Sequence, residues 1–87
     1  MSGFQTYLDN AERQSGTTPR AFIALAEEKG LTTAKVGEIV AWLKADHGLG
    51  HGHATSVAQL ISKGPEAIAA KHNDGVPLRL DGVASAS

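Results

Sequence analysis

Three histidines and three glycines crowd into the stretch Asp46-His47-Gly48-Leu49-Gly50-His51-Gly52-His53-Ala54, out of four histidines and ten glycines in an 87-residue chain. Residue types this dense suggest chemistry, and four kinds are open to them. Metal binding is the first. His47, His51 and His53 supply three imidazoles, with His72 as a further donor, and nitrogen ligands of this kind suit zinc or nickel. His51 and His53 flank a glycine, so an extended backbone would send both to one side and a helical start would splay them. Asp46 is the adjacent carboxylate, and the local sequence carries no further ligand or orienting shell of the sort metal sites need. The expectation is no metal and no cofactor, with one histidine capping a helix end by hydrogen bonding and the others exposed.

Phosphate binding is the second. A helix, then Gly-Leu-Gly-His-Gly, then another helix has the outline of a helix-hairpin-helix element. There the glycines expose backbone N–H groups at a helix N-terminus, and the positive end of the dipole favours an anion. Gly50 and Gly52 would make the tight turn, His51 and His53 would flank the anion, and Lys44 would approach from the preceding helix. Backbone contact with nucleic acid, without base reading, would follow. Against this, the basic residues that usually follow such glycines are missing, as is a leading Leu-Pro. The plainer meaning of the glycines is a sharp corner between helices.

Catalysis is the third. Asp46-His47 with Ser56 has the composition of a triad, yet neighbours in sequence are not triad geometry and no nucleophile-elbow motif is present. Short helices also offer little concave volume for a substrate, so the chain is expected not to be an enzyme. Protein binding is the fourth. Trp42 and Leu49, beside the glycine-rich corner, would anchor an interaction or self-association surface if exposed. The competing role for Trp42 is simply to be the largest core residue.

The elements that must position these residues are helices. Ser2 and Gln5 have capping-box spacing, and Phe4, Tyr7, Leu8 and Ala11 form one stripe with Gln5, Asp9, Glu12 and Arg13 outward. Gly16 ends that helix in the left-handed conformation. Thr18 as N-cap and Pro19 at the first helical position start the second. It buries Phe22, Leu25 and Ala26, flanked by Ile23, and closes at Glu28-Lys29-Gly30. Thr32 or Thr33 is expected to cap the third, whose stripe is Val36, Ile39, Val40 and Leu43. Gly37 within it predicts a close helix contact, since glycine there costs about 1 kcal/mol against alanine. Ala54, Val57, Ala58, Leu60 and Ile61 make the fourth, stopped by Lys63-Gly64-Pro65. Glu66 to His72 has room for two helical turns around Ile68, Asn73-Asp74-Gly75 reads as a turn, and Val76 to Leu80 would lie extended against the body. Val83 to Ser87 reads as a mobile tail.

Composition bounds the rest. Hydrophobic residues make up 41% and charged residues 20%, which fits one small globular domain. The core must be mostly aliphatic, because Phe4, Tyr7, Phe22 and Trp42 are the only aromatics. A core this small supplies modest stability, so a partner or homodimer is a natural aid. The formal charge of −1 and the mixing of signs provide no global pull toward nucleic acid or acidic membrane. Cysteine is absent, which removes disulfides and thiolate sites and fits a reducing compartment. No apolar run approaches the roughly 18 residues of a membrane span, and Met-Ser-Gly-Phe-Gln lacks the order of a signal peptide. The expected location is the cytoplasm, with no membrane partner.

Several of these segments together resemble a known family. Phe4-Gln5-Thr6-Tyr7-Leu8, Thr18-Pro19, Leu25-Ala26-Glu27-Glu28-Lys29-Gly30 and Gly37-Glu38-Ile39-Val40-Ala41-Trp42-Leu43-Lys44, through Gly48-Leu49-Gly50-His51-Gly52-His53-Ala54, are similar to the bacterial family labelled DUF4287. The resemblance covers roughly residues 3 to 64. It implies a small helical domain centred on the hairpin and implies no activity.

The expectation is therefore an all-α fold of four short helices in a bundle or orthogonal array, with a helix-hairpin-helix-like corner between the third and fourth. Residues 1–64 would form the domain, and 65–87 an extension, partly helical and then disordered. Function ranks as non-enzymatic phosphate or nucleic-acid binding through Lys44, Gly50, His51, Gly52 and His53, ahead of protein interaction through Trp42 and Leu49. Phosphate contact would weaken with salt and strengthen below about pH 6.5 as histidines charge.

Overall fold

The computed structural model describes residues 3–72 and 78–82, and all of its regular structure is helical. There are five helices: α1 (Gly3–Ser15), α2 (Pro19–Glu28), α3 (Val36–His47), α4 (His51–Lys63) and α5 (Pro65–His72). The expectation of four is corrected by α5. Gly64, at φ 88° and ψ 152°, breaks the chain direction after α4, and Pro65 opens a new helix at the position where its missing N–H costs nothing. Ala67, Ala69 and Ala70 favour helix, and Ile68 is fully buried with Ala69 6% exposed, so α5 is anchored to the core by one side.

Helix α4 is the hub. It packs against α1, α2 and α5, and most extensively against α3. Its alanine, valine, leucine and isoleucine stripe explains this: Ala54, Val57, Ala58 and Leu60 are wholly buried, and the small residues let neighbouring backbones come close. Around it gather Leu8 and Ala11 of α1, Phe22 and Ala26 of α2, and Ile39 and Leu43 of α3, all at 0% exposure. Val36, Val40, Trp42 and Ile23 pack on the periphery of this cluster. The apolar spacings in the sequence identify most of each buried face, with two corrections in α1 and α2: Tyr7, placed in the α1 stripe, is exposed, and Leu25, placed in the α2 stripe, is only partly buried.

Local rules decide the helix ends. Thr18 caps α2, its hydroxyl accepting from the Ala21 N–H at 3.1 Å, with Pro19 following. Gly16 and Gly30 take φ of 72° and 70°, as their positions after helices require. Two expectations fail. Neither Thr32 nor Thr33 caps α3; the N-cap is Lys35, whose side chain makes no capping hydrogen bond. Leu31 to Ala34 form a turn instead, closed by the Ala34 N–H to the Leu31 carbonyl at 3.0 Å, which moves the helix start two residues on. Nor does Gly37 meet a neighbouring helix: it is exposed, and a Cβ there would find nothing within 4 Å. Gly37→Ala is accordingly expected to raise stability by about 0.5–1 kcal/mol through helix propensity and a less flexible unfolded chain. Urea denaturation of the two proteins checks it, and an unchanged midpoint would contradict it.

Residues 78–82 form a strap across α1 and the start of α2. Gln5, expected to face solvent or to close a capping box, instead grips this strap. Its amide oxygen accepts from the Arg79 N–H at 2.7 Å, and its amide nitrogen donates to the Arg79 carbonyl at 3.1 Å. The Arg20 N–H donates to the Leu80 carbonyl at 3.0 Å. Arg79 reaches Asp9 at 2.7 Å, and Arg20 pairs with Asp81. Leu78 and Leu80 complete the core at 9% and 8% exposure, each contributing roughly 1.5–3 kcal/mol on burial. Ser2, the Asn73-Asp74-Gly75 turn, Val76, Pro77 and the tail from Val83 lie outside the described residues.

The Asp81 carboxyl is held below the usual carboxylate range by its hydrogen bond from Arg20 and, to a lesser extent, by that residue's charge, while desolvation opposes the shift. The contact therefore stabilises the strap above the ordinary carboxylate range near pH 4 and weakens as pH falls through the depressed value. The titration of the Asp81 carboxyl carbon, followed by NMR, should have a lower midpoint in the folded protein than in a peptide of residues 76–83. Coincident midpoints would mean the pair does not form in solution.

Candidate functional site

The glycine- and histidine-rich stretch lies between two helices whose ends it defines. Gly48 caps α3 at φ 65° and ψ 22°, its N–H donating to the Leu43 carbonyl. Leu49 follows, and Gly50, at φ −68° and ψ 162°, is the N-cap of α4. Three residues thus separate α3 from α4, and Gly52, expected in the tight turn, is instead the second residue of α4. Leu49 is 3% exposed and belongs to the core, where it ties the turn down from inside. That corrects the expectation of Leu49 as a surface contact: the two glycines beside it adopt whatever backbone the turn needs, and the leucine is the one side chain available to bury.

The first turn of α4 is open. Gly50 has no side chain with which to cap it, and among the described residues the N–H groups of His51, Gly52 and His53 have no acceptor. Four such donors are left over at any helix start, and α2, α3 and α5 differ from α4 there. In α2, Pro19 has no N–H, Arg20 donates to the strap and Ala21 donates to Thr18. In α3 and α5 the first turn carries an acid, Glu38 and Glu66, where α4 carries none. His51 and Gly52 are exposed, as is Lys44 on α3.

The histidines divide. His53 is half-buried and sits edge-on to Tyr7 of α1, ring centres 5.7 Å apart. His47 is packed edge-on to both Phe22 and Trp42, each at 5.0 Å. His51 projects into solvent. Among the described residues no three His, Cys, Asp or Glu side chains gather as metal ligands would. The members of the triad composition are likewise engaged separately. Ser56 donates its hydroxyl to the Gly52 carbonyl at 3.1 Å, an i to i−4 helix bond, and His47 is held by its aromatic neighbours while Asp46 is exposed.

Trp42 is partly buried against the core, and its indole N–H is enclosed without an acceptor. Most of the ring therefore serves packing, beside His47. Among the described residues the exposed large apolar side chain is Tyr7, at 49%. It stands next to the open helix start through His53, a neighbourhood that the separation of residues 7 and 53 in sequence conceals.

Comparison with known proteins adds a family. No curated protein and no solved structure matched the chain. Residues 3–63, which span α1 through α4 and include the open turn, match the family model described as "Domain of unknown function (DUF4287)", and the chain belongs to that family.

Proposed function

We propose that this chain is a non-enzymatic phosphate-binding module whose ligand class is the backbone of nucleic acid, held at the start of α4 in the manner of a helix-hairpin-helix element. The observation that carries this reading is the uncapped first turn of α4, which contains no acid and in which, among the described residues, the N–H groups of His51, Gly52 and His53 have no protein acceptor. Unsatisfied donors at the positive end of a 13-residue helix suit a phosphate oxygen. His51 and His53 flank the position and add charge when protonated. Lys44, exposed on α3, supplies a further cation to the same end of the molecule. Main-chain donors meet a phosphate oxygen and read no base edge, so the contact proposed is with backbone alone.

An amide-shift titration with inorganic phosphate, then with short single-stranded DNA and RNA, tests the reading. Shifts are expected at Gly50 to His53, weakening steeply with salt and strengthening as pH falls. Nucleic acid that leaves those four amides unmoved would sink it. Substoichiometric zinc that broadens His47, His51 and His53 together would replace it with a metal site. The protein-interaction reading loses one of its anchors because Leu49 is in the core. It would be favoured by salt-insensitive association that perturbs Trp42.

A further inference from the structure

The strap is held by the helical body in a way that reads an extended backbone. Gln5 both donates to and accepts from the same residue, Arg79. One edge of a side-chain amide presents an N–H beside the C=O, which matches an extended residue's C=O and N–H pair, and Gln5 Nε2 also donates to Asp9 at 3.0 Å, which holds the amide in place. Arg20 adds a third main-chain bond, its N–H at the start of α2 to the Leu80 carbonyl. Side chains then supply selectivity in alternation. Leu78 and Leu80 point into the core, Arg79 meets Asp9, and Asp81 meets Arg20.

These are the parts of a peptide-recognition groove: main-chain bonds for affinity and alternate side-chain pockets for specificity. Its residues, Gln5, Asp9 and Arg20, lie within the family-matched region, whereas the strap lies beyond residue 63. The groove belongs to the module and the occupant is appended to it. The fit is also incomplete, because the buried Nε of Arg79 has no acceptor. The Arg20–Asp81 pair, at 63% and 62% side-chain exposure, is a rim contact that solvent screens. Such an occupant is open to competition.

We propose that the groove along α1 and the start of α2 is a docking site for an extended apolar–basic–apolar–acidic segment of another polypeptide, and that Leu78 to Gly82 occupy it intramolecularly in its absence. The tether gives the strap an effective concentration in the millimolar range. A competing segment therefore binds the wild-type chain weakly and binds strongly only when the strap is disabled.

The test uses the full chain carrying Arg79→Glu, which sets a carboxylate against Asp9 without touching the core, and a labelled peptide of residues 76–83. Anisotropy should show saturable binding about 10-fold tighter than to wild type, with amide shifts at Gln5, Asp9 and Arg20. Peptide carrying glutamate in place of its arginine should bind poorly, and so should the double variant with Gln5→Ala. A folded Arg79→Glu protein that ignores the peptide, or binds it elsewhere, overturns the proposal. Should that variant fail to fold, hydrogen exchange of the wild type decides. The Arg79 amide, bonded to Gln5, is expected to exchange by a local opening insensitive to denaturant. Exchange only through global unfolding would make the strap a permanent part of the fold and end the proposal.

Discussion

Replacing Phe22 with alanine should destabilise the domain by about 3–5 kcal/mol, the range for deleting a buried aromatic ring. The ring is wholly buried on α2 and meets His47 edge-on at 5.0 Å. Few neighbours can refill the space, because the surrounding core is built of short aliphatic chains that already occupy their places. Domains of this kind are stable by roughly 5–15 kcal/mol, with small ones toward the low end. The variant should therefore be substantially unfolded or close to it at ambient temperature. Urea denaturation followed by circular dichroism measures the loss, and Phe22→Leu, which keeps most of the volume, should cost far less. A loss below about 1.5 kcal/mol for the alanine variant would mean that α2 is not seated as described. Loss of the ring also removes one wall from His47, the last residue of α3, so the turn that follows should lose definition as well.

Gly50→Asp should separate stability from binding. Gly50 already has the extended conformation of an N-cap, and a Cβ there meets nothing within 4 Å. An aspartate would accept from the N–H of Gly52 or His53 and place negative charge at the positive end of the helix. That gains roughly 0.3–1 kcal/mol. The same carboxylate occupies the donors on which phosphate binding depends and repels the ligand. Affinity for phosphate or single-stranded nucleic acid should fall about 10- to 100-fold, corresponding to roughly 1.5–3 kcal/mol of charge-assisted hydrogen bonding. Denaturation midpoint and titration are measured on the same sample. A folded Gly50→Asp protein that binds as wild type would place the ligand elsewhere. This is a more telling variant than His51→Ala, because the expected loss of binding accompanies a gain in stability and so has no unfolding explanation.

The two proposed sites differ in how visible they are along the chain. At the start of α4 the relevant residues are neighbours in sequence. Gly48 and Gly50 mark the end of α3 and the break before α4, but the apolar stripe begins only at Ala54, so the helix start at His51, with Gly52 in its first turn, is not legible from the stripe. The groove for the strap is different. Gln5 and Arg79 stand 74 positions apart, and nothing near Gln5 distinguishes it from an ordinary solvent-facing glutamine. The alternation of Leu78, Arg79, Leu80 and Asp81 signals an extended segment with one apolar side, yet it does not say which surface receives it.

The sequence by itself determined the helical class, the boundaries of α2, the end of α4, most of each buried stripe and the family. Each depends on interactions within about one turn of helix: a hydroxyl capping its own helix, a proline at a first turn, a glycine at positive φ, an apolar repeat near 3.6 residues. Only the tertiary structure decided that Leu49 is core while Tyr7 is exposed, that His47 and His53 have different aromatic companions, that Gly37 has no close neighbour and that Gln5 grips Arg79. These depend on which elements face one another, and periodicity records that a face is buried without recording what covers it.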